Sequence, residues 1–304
     1  MSNESRRGSQ PDRSLHKPVL LAETVKLLDL RPGLVVVDGT LGGGGHSRAI
    51  HEQIGDAGTL IGLDRDPRML GLAASVVNGP NCRLRQANYD NLPEVLNELD
   101  IAHVDRILLD LGLSSDQLSD PARGFSFEST GPLDLRYDTT AGLPAWQYIA
   151  EQSEAELERV FREFGEERYA ARVAEQLVAR RRTAPVRTAD ELAAAVVASI
   201  PGRARALSKT HPATRVFQAL RIAVNQELDH LKHALNETLF AVLAPAGRAA
   251  VITFHSLEDR LVKNEFRRKE RWCNLTPKPI VASAVEKRMN PRSRSAKLRA
   301  AQKL

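Results

Sequence analysis

The stretch Asp38-Gly-Thr-Leu-Gly-Gly-Gly-Gly-His-Ser47 places four consecutive glycines between a strand-like run and a helical one. Glycines there let the backbone approach a ligand closely and turn through positive φ without a Cβ clash. Asp64 closes the next strand-like run about twenty residues after Gly44, the position of a carboxylate that accepts hydrogen bonds from a ribose diol. Such a loop suits a dinucleotide, S-adenosylmethionine, or no ligand at all if it is a structural turn. Asp38 favours S-adenosylmethionine, because a carboxylate beside the loop repels a pyrophosphate and tolerates a methionine ammonium group. The spacing departs from Gly-x-Gly-x-x-Gly, with Ser47 where the last glycine would fall, and no Walker lysine marks a P-loop. A second constellation, Asp110-Leu-Gly-Leu-Ser-Ser-Asp-Gln117, follows an apolar run. Ligands of doubly wound sheets bind beyond the carboxyl ends of the strands, so Asp110, Ser114, Ser115 and Gln117 are expected to face the crevice of the glycine loop. A self-contained Asx-type turn is the competing reading.

Positioning these residues requires a sheet, and the chain alternates accordingly. Strand-like runs at Leu34–Asp38, Thr59–Asp64, Cys82–Gln86 and Asp105–Leu111 are separated by segments of helical composition, which predicts a parallel sheet with helices on both faces. After Leu111 the alternation stops. Ser153-x-x-Glu156 signals a helix with Leu157, Val160, Phe161 and Phe164 on one face, which Gly165 interrupts. A further helix is expected to about Arg182, and Thr188-x-x-Glu191 caps the one that Pro201 ends. From Thr214 a long amphipathic stretch with Phe217, Leu220, Val224, Leu228, Leu231 and Leu235 on one side runs to Pro245 and Gly247, and Ala249–Phe254 returns to strand. The α/β sheet is therefore expected to be interrupted by a helical insertion of roughly 100 residues.

Composition agrees with a globular chain. Its 304 residues suffice for about two domains, and 42% are hydrophobic. The longest largely apolar run, Leu192–Ile200, is too short for a membrane span. The polar start MSNESRRGSQPDRSLHK has no apolar h-region, so residues 1–15 are expected to be a disordered leader. With Cys82 and Cys273 as the two cysteines, a reducing cytoplasm fits better than a disulfide framework. The net charge of +5 is unevenly spread: residues 263–304 hold 13 basic and 3 acidic residues, and Arg203–Arg221 holds five basic residues and no acid. Such patches are the footprint of a polyanion binder, or of a solvated, charged tail.

The blocks HKPVLLAETVKLL, DGTLGGGGHS, GLDRDP, DLGLSSDQL, RGFSF, GPLDLRYD, FGEERYA, HPATRVFQALRIAVNQEL, FHSLEDRLVK and NPRSRSAKLRAA occur in that order over residues 16–301. The chain thereby resembles the bacterial 16S ribosomal RNA cytosine-N4 methyltransferase family. The resemblance implies a Rossmann-like class I methyltransferase sheet with an inserted all-helical domain. Residues 16–118 and 215–304 would form the S-adenosylmethionine-dependent methyltransferase domain, with a basic C-terminal tail, and residues 119–214 the helical substrate-recognition domain. It also implies N4-methylation of the cytosine conventionally numbered 1402 in the decoding region, with 16S rRNA or the 30S subunit as partner. Carried over by motif, the cofactor contacts fall on Gly44, Gly45, His46, Asp64, Asp110 and Gln117. Tyr89 in QANYDNL stands where the family commonly has Phe, and an aromatic ring there could stack on adenine.

An exocyclic cytosine amine is a poor nucleophile because its lone pair is delocalised into the ring. Acceptors for its N–H groups turn the lone pair toward a methyl donor, and the reaction is then governed by positioning. Asp110, or a backbone carbonyl of Leu111–Ser115, is the candidate acceptor; the Pro-Pro-aromatic turn of other amino-methyltransferases is missing. His46 is either a base or a loop contact, and His211 and His255 read as structural. Without a Cys-x-x-Cys or His-Glu-x-x-His spacing no metal is expected. Phe125, Phe127 and Tyr137 are stacking candidates or core, and Arg136, Arg215, Arg292 and Arg294 are candidates for RNA phosphate contact. The rival readings are a non-catalytic RNA-binding module on a methyltransferase fold and a DNA N4-cytosine methyltransferase.

Overall fold

Period-two alternation builds the centre of the molecule. In β1 (Val35–Asp38) and β4 (Val104–Asp110), Val37, Ile107 and Leu109 pack on one face of the sheet and Val36 and Leu108 on the other. Residues buried on both faces make a near-continuous apolar run, as in a parallel sheet covered by helices on each side. The computed structural model describes residues 17–208 and 210–304; the expected leader and Lys209 of the basic stretch lie outside them.

With β2 (Thr59–Asp64), β3 (Cys82–Gln86), β5 (Leu243–Thr253), β6 (Trp272–Asn274), β7 (Ile280–Val281) and β8 (Lys297–Lys303), the strand order is β3-β2-β1-β4-β5-β8-β6, and β7 pairs with β8. The pairs from β3 to β5 are parallel and those of β8 antiparallel. Helices Gly45–Ile54, Pro67–Ala74 and Leu92–Glu98 make the crossovers among the first four strands. The fold is the expected Rossmann-like α/β sheet interrupted by helices. The strand order reverses at β1, and the crevice beside it, at the carboxyl ends of β1 and β4, is the topological switch point.

Between β4 and β5 lies a separate core of helices Glu154–Glu163, Ala170–Arg180, Ala189–Ser199 and Thr214–Asn225, built around Phe161, Val173, Leu192 and Leu220. Ser153 caps the first by accepting from the Glu156 N–H at 3.1 Å, and the Glu191 carboxylate accepts from the Thr188 N–H at 3.2 Å.

Three details differ from the sequence reading. The stretch after Thr214 is two helical units: the first ends at Asn225, Gln226 takes a left-handed conformation (φ 52°), and Glu227–His233 follows. Phe217 and Leu220 belong to the helical core, whereas Leu231 and Leu235 pack against the sheet, so one apolar stripe serves two cores and needs a bend between them. Secondly, β5 begins at Leu243, which pairs with Val104; Ala246 turns through φ 60°, and the register has shifted when Arg248 meets Arg106. The helical stretch ends at Val242, close to Pro245 and Gly247 as expected, and those two residues lie within this irregularity of β5. Thirdly, the basic tail supplies a strand inside the sheet. β8 lies between β5 and β6 with Leu298, Ala300 and Ala301 buried, and Asp259 accepts hydrogen bonds from Arg299 (2.7 Å) and Lys297 (3.0 Å), which removes the charge obstacle to burying that strand. Among the described residues, no helix is long and apolar enough to cross a membrane.

Candidate functional site

The glycine loop folds around two carboxylates. Asp38 at the end of β1 is buried; its Oδ2 accepts from the Ser47 hydroxyl at 2.7 Å and its Oδ1 from the Thr40 N–H at 3.2 Å. Burial pushes its carboxyl up, against the opposing pull of His46 and of these hydrogen bonds. Asp38 therefore shapes the loop from within. Asp64 ties the loop to the neighbouring strand end: its Oδ2 accepts from the Gly42 N–H at 2.8 Å and its Oδ1 from the Asp66 N–H at 2.9 Å. Burial pushes Asp64 up to about 7. Gly44 starts helix Gly45–Ile54 at φ 78°, a conformation open to glycine at little cost, and a Cβ there would also meet Val77 at 3.3 Å. Gly39 allows a second close approach, since a Cβ would lie 2.6 Å from the Leu109 side chain.

Asp110 ends β4 beside this loop. Its N–H donates to the Thr40 hydroxyl at 2.6 Å, locking the two strand ends together. The His46 Nε2 lies 3.0 Å from the Val19 carbonyl, so it carries the proton, and Nδ1 is turned toward Asp110 Oδ2 at 3.5 Å. Burial pulls His46 below its ordinary value, leaving a neutral imidazole against the carboxylate. Asp110 itself is pushed up to about 7 by burial, with Arg292 pulling the other way. Beyond it, Ser114 and Gln117 form a reciprocal cap of the short helix Ser115–Ser119: the Ser114 hydroxyl accepts from the Gln117 N–H and the Gln117 amide oxygen from the Ser114 N–H, both at 3.0 Å. The Gln117 amide also donates to Asp66, which accepts from Arg123 as well. The turn is thus structural in Ser114, while Gln117 both caps it and reaches the cleft.

Asp64, Tyr89, Asp110 and Gln117 line one cleft together with Gly39, Thr40, Arg65, Tyr137, Glu227 and Glu258. Gly44 and Gly45 lie behind it, packed toward Val77 and Pro18, and His46 is held beneath the loop by its Nε2 donating to the Val19 carbonyl. The far wall is a polar network. Arg221 grips Glu227 through two hydrogen bonds of 2.8 and 3.0 Å, the Tyr137 hydroxyl donates to Glu227 at 3.3 Å, and the Tyr137 N–H donates to Asn225 at 2.7 Å. Burial opposes ionisation of Glu258, yet the adjacent His255 imidazole (3.1 Å) and the Phe254 N–H hold it below its ordinary value. Glu227, His255 and Glu258 bring ligand-type atoms within 4.8 Å of one another, but Arg221 and His255 already compensate the two carboxylates.

Sequence reasoning missed Arg65, Glu227 and Glu258. Each lies inside a quoted block (GLDRDP, NQEL, FHSLEDR), but only tertiary contact relates them to Asp110. Among the proposed RNA contacts, Arg292 is half-buried near Ser115 and Asp110, whereas Arg136 is held by Asp134 (2.7 and 2.8 Å) within its own loop. Arg215 and Arg294 are exposed, the former donating to the Glu166 carbonyl at 2.9 Å. Phe125 is buried with its ring centroid 6.0 Å from that of Tyr137, and Phe127 is half-buried.

A nucleoside-type methyl donor asks for a carboxylate toward its diol and a flat ring for its base, and Asp64 and Tyr89 offer both across this cleft. The sheet and the site define a methyltransferase that uses S-adenosylmethionine. The chain belongs to the MraW methylase family, with the match running over residues 13–304. Proteins named ribosomal RNA small subunit methyltransferase H are similar to it almost end to end. The one from Syntrophotalea carbinolica is 47% identical over 95% of this chain and 98% of its own. Those from Trichlorobacter lovleyi (45% identical, 95% and 98%) and Thermomicrobium roseum (45% identical, 97% and 95%) are alike.

Proposed function

We propose that this protein methylates the N4 amine of a cytosine in 16S rRNA, at the position numbered 1402, in the cytoplasm. The names of its relatives support a small-subunit rRNA substrate. The observation carrying the amine chemistry is that Asp110, at the switch point, opens onto the same cleft as Asp64. Residues 16–118 and 215–304 are read as the methyl-transfer unit, and the helical insert 119–214 as the substrate side, where helix Thr214–Asn225 adds its apolar face.

Asp64, Tyr89 and Gln117 would hold the donor, with Gly44, Gly45 and His46 fixing the loop beneath it. Bound S-adenosylmethionine supplies an electrophilic methyl on a sulfonium. Asp110, when ionised, accepts from one amine N–H, and a carbonyl of the Leu111 turn can accept from the other, which directs the nitrogen lone pair out of conjugation. The methylated amine must lose a proton, and a carboxylate with a value near 7 is suited to holding it. Arg136, Arg215, Arg292 and Arg294 are retained as RNA contacts on the ground of charge.

The test is methyl transfer from labelled S-adenosylmethionine to free 16S rRNA, 30S particles and DNA, with the product mapped by mass spectrometry. One N4-methylcytosine in the small-subunit rRNA is the expected product. Label on DNA alone, or on another atom of the RNA, would overturn the reading, and binding of the donor without transfer would favour a non-catalytic RNA-binding module.

A further inference from the structure

Away from the cleft, the helical core carries a wide groove lined by Arg168, Arg203, Arg205 and Arg215, with Tyr169 and His211 among its walls. All four arginines are exposed, and among the described residues none is in an ion pair with a carboxylate. The buried Glu167 at the groove is turned onto the Tyr169 N–H at 2.8 Å. Arg168, Arg203 and Arg205, with Arg215 held from one side by the Glu166 carbonyl at 2.9 Å, surround one concavity without a carboxylate partner among the described residues, the arrangement a run of phosphates requires.

The groove is joined to the catalytic cleft by an unbroken series of contacts. His211 stacks on Phe127 with ring centroids 4.3 Å apart and planes 7° from parallel. His211 faces the arginine groove, and Phe127 faces a second, aromatic pocket that also contains Phe254, Arg221 and His255. Arg221 and His255 in turn bond Glu227 and Glu258 of the cleft. The stacked pair is therefore a partition between a phosphate-type surface and an aromatic pocket that abuts the methyl-transfer site. A single strand with one base turned into the cleft needs this sequence of surfaces: a polar pocket, apolar rings for its neighbours, then cations for its backbone.

We propose that the arginine groove takes the sugar-phosphate backbone of the rRNA segment flanking the target cytosine, with His211 offering a stacking face at the point of entry. This rests on the rRNA reading above and specifies the path the strand follows. The measurement is binding and methylation of 30S particles and of naked 16S rRNA by the full chain carrying Arg168→Ala, Arg203→Ala and Arg205→Ala together, and separately His211→Ala. The triple variant should raise KM for both substrates on the order of 10- to 100-fold and flatten the log affinity against log salt slope by about 2. His211→Ala should weaken RNA binding on the order of 10-fold. Calorimetric affinity for S-adenosylmethionine should stay as in the parent, which certifies the fold. A triple variant with parental KM and salt slope, from a parent that methylates rRNA, overturns the groove and leaves the function standing. Weakened binding to 30S particles but not to naked rRNA would make the groove a ribosomal-protein contact and also overturns it. A parent that transfers no methyl to either substrate defeats the underlying reading instead.

Discussion

Asp110 and Asp64 are half-buried carboxylates on the cleft wall, and desolvation pushes both up to about 7. For Asp110 the consequence is kinetic. The ionised form is the stronger acceptor from an amine and the one able to take up its proton, so kcat/KM should fall as pH drops through about 7, and Asp110→Asn should reduce single-turnover methyl transfer at saturating donor by on the order of 100-fold. Rapid-quench assays across pH check both expectations. For Asp64 it is thermodynamic. Between its ordinary value of 3.8 and about 7 the folded protein holds a proton that the unfolded chain has released. Stability of the donor-free protein therefore falls as pH rises through that window and levels off above it. Asp64→Asn should remove this contribution, so Tm measured from pH 4 to 8 declines less steeply in the variant than in the parent. At this scale the place of Asp64, Asp110 and Gln117 on one cleft was legible because strand ends and a glycine loop point to a crevice from sequence alone, whereas Tyr89 was reached through the family resemblance. Glu227 and Glu258 were not, since nothing in their local spacing relates them to β4.

Between elements, the joint is the bend at Gln226. The Asn225 amide donates to the carbonyls of Leu135 (2.7 Å) and Arg221 (2.9 Å), its side-chain oxygen accepts from Tyr137, and its backbone carbonyl accepts from Arg65. One buried side chain thus fastens the helical core, the Tyr137 loop and the cleft. Asn225→Ala leaves the Tyr137 N–H and the Leu135 carbonyl without that partner, and it should cost about 1–3 kcal/mol in denaturant unfolding. It should also loosen the Tyr137 wall, raising the KM for RNA more than that for S-adenosylmethionine. The apolar periodicity across residues 214–235 predicted helix correctly, but periodicity does not report which core a stripe faces. A left-handed residue between two cores leaves no signature in it.

For the molecule as a whole, the C-terminal strand decides completeness. β8 pairs with β5, β6 and β7 and buries Leu298, Ala300 and Ala301, so truncation after Ser295 should expose the edge of β5 and unpair two short strands. The expected result is loss of the cooperative melt and of soluble yield, whereas a tail serving only as a charged appendage would leave both unchanged; differential scanning calorimetry and gel filtration distinguish them. The amino-acid order by itself determined the parallel strands, their helical crossovers and the two loops that meet at the switch point, because hydrophobic period, glycine and strand ends are local properties. Tertiary structure alone decided that the basic tail is sheet and that carboxylates from three distant segments share a cleft with Asp110. Both depend on segments far apart in the chain coming together, as when Asp259 accepts from Lys297 and Arg299, and local spacing carries no record of such meetings.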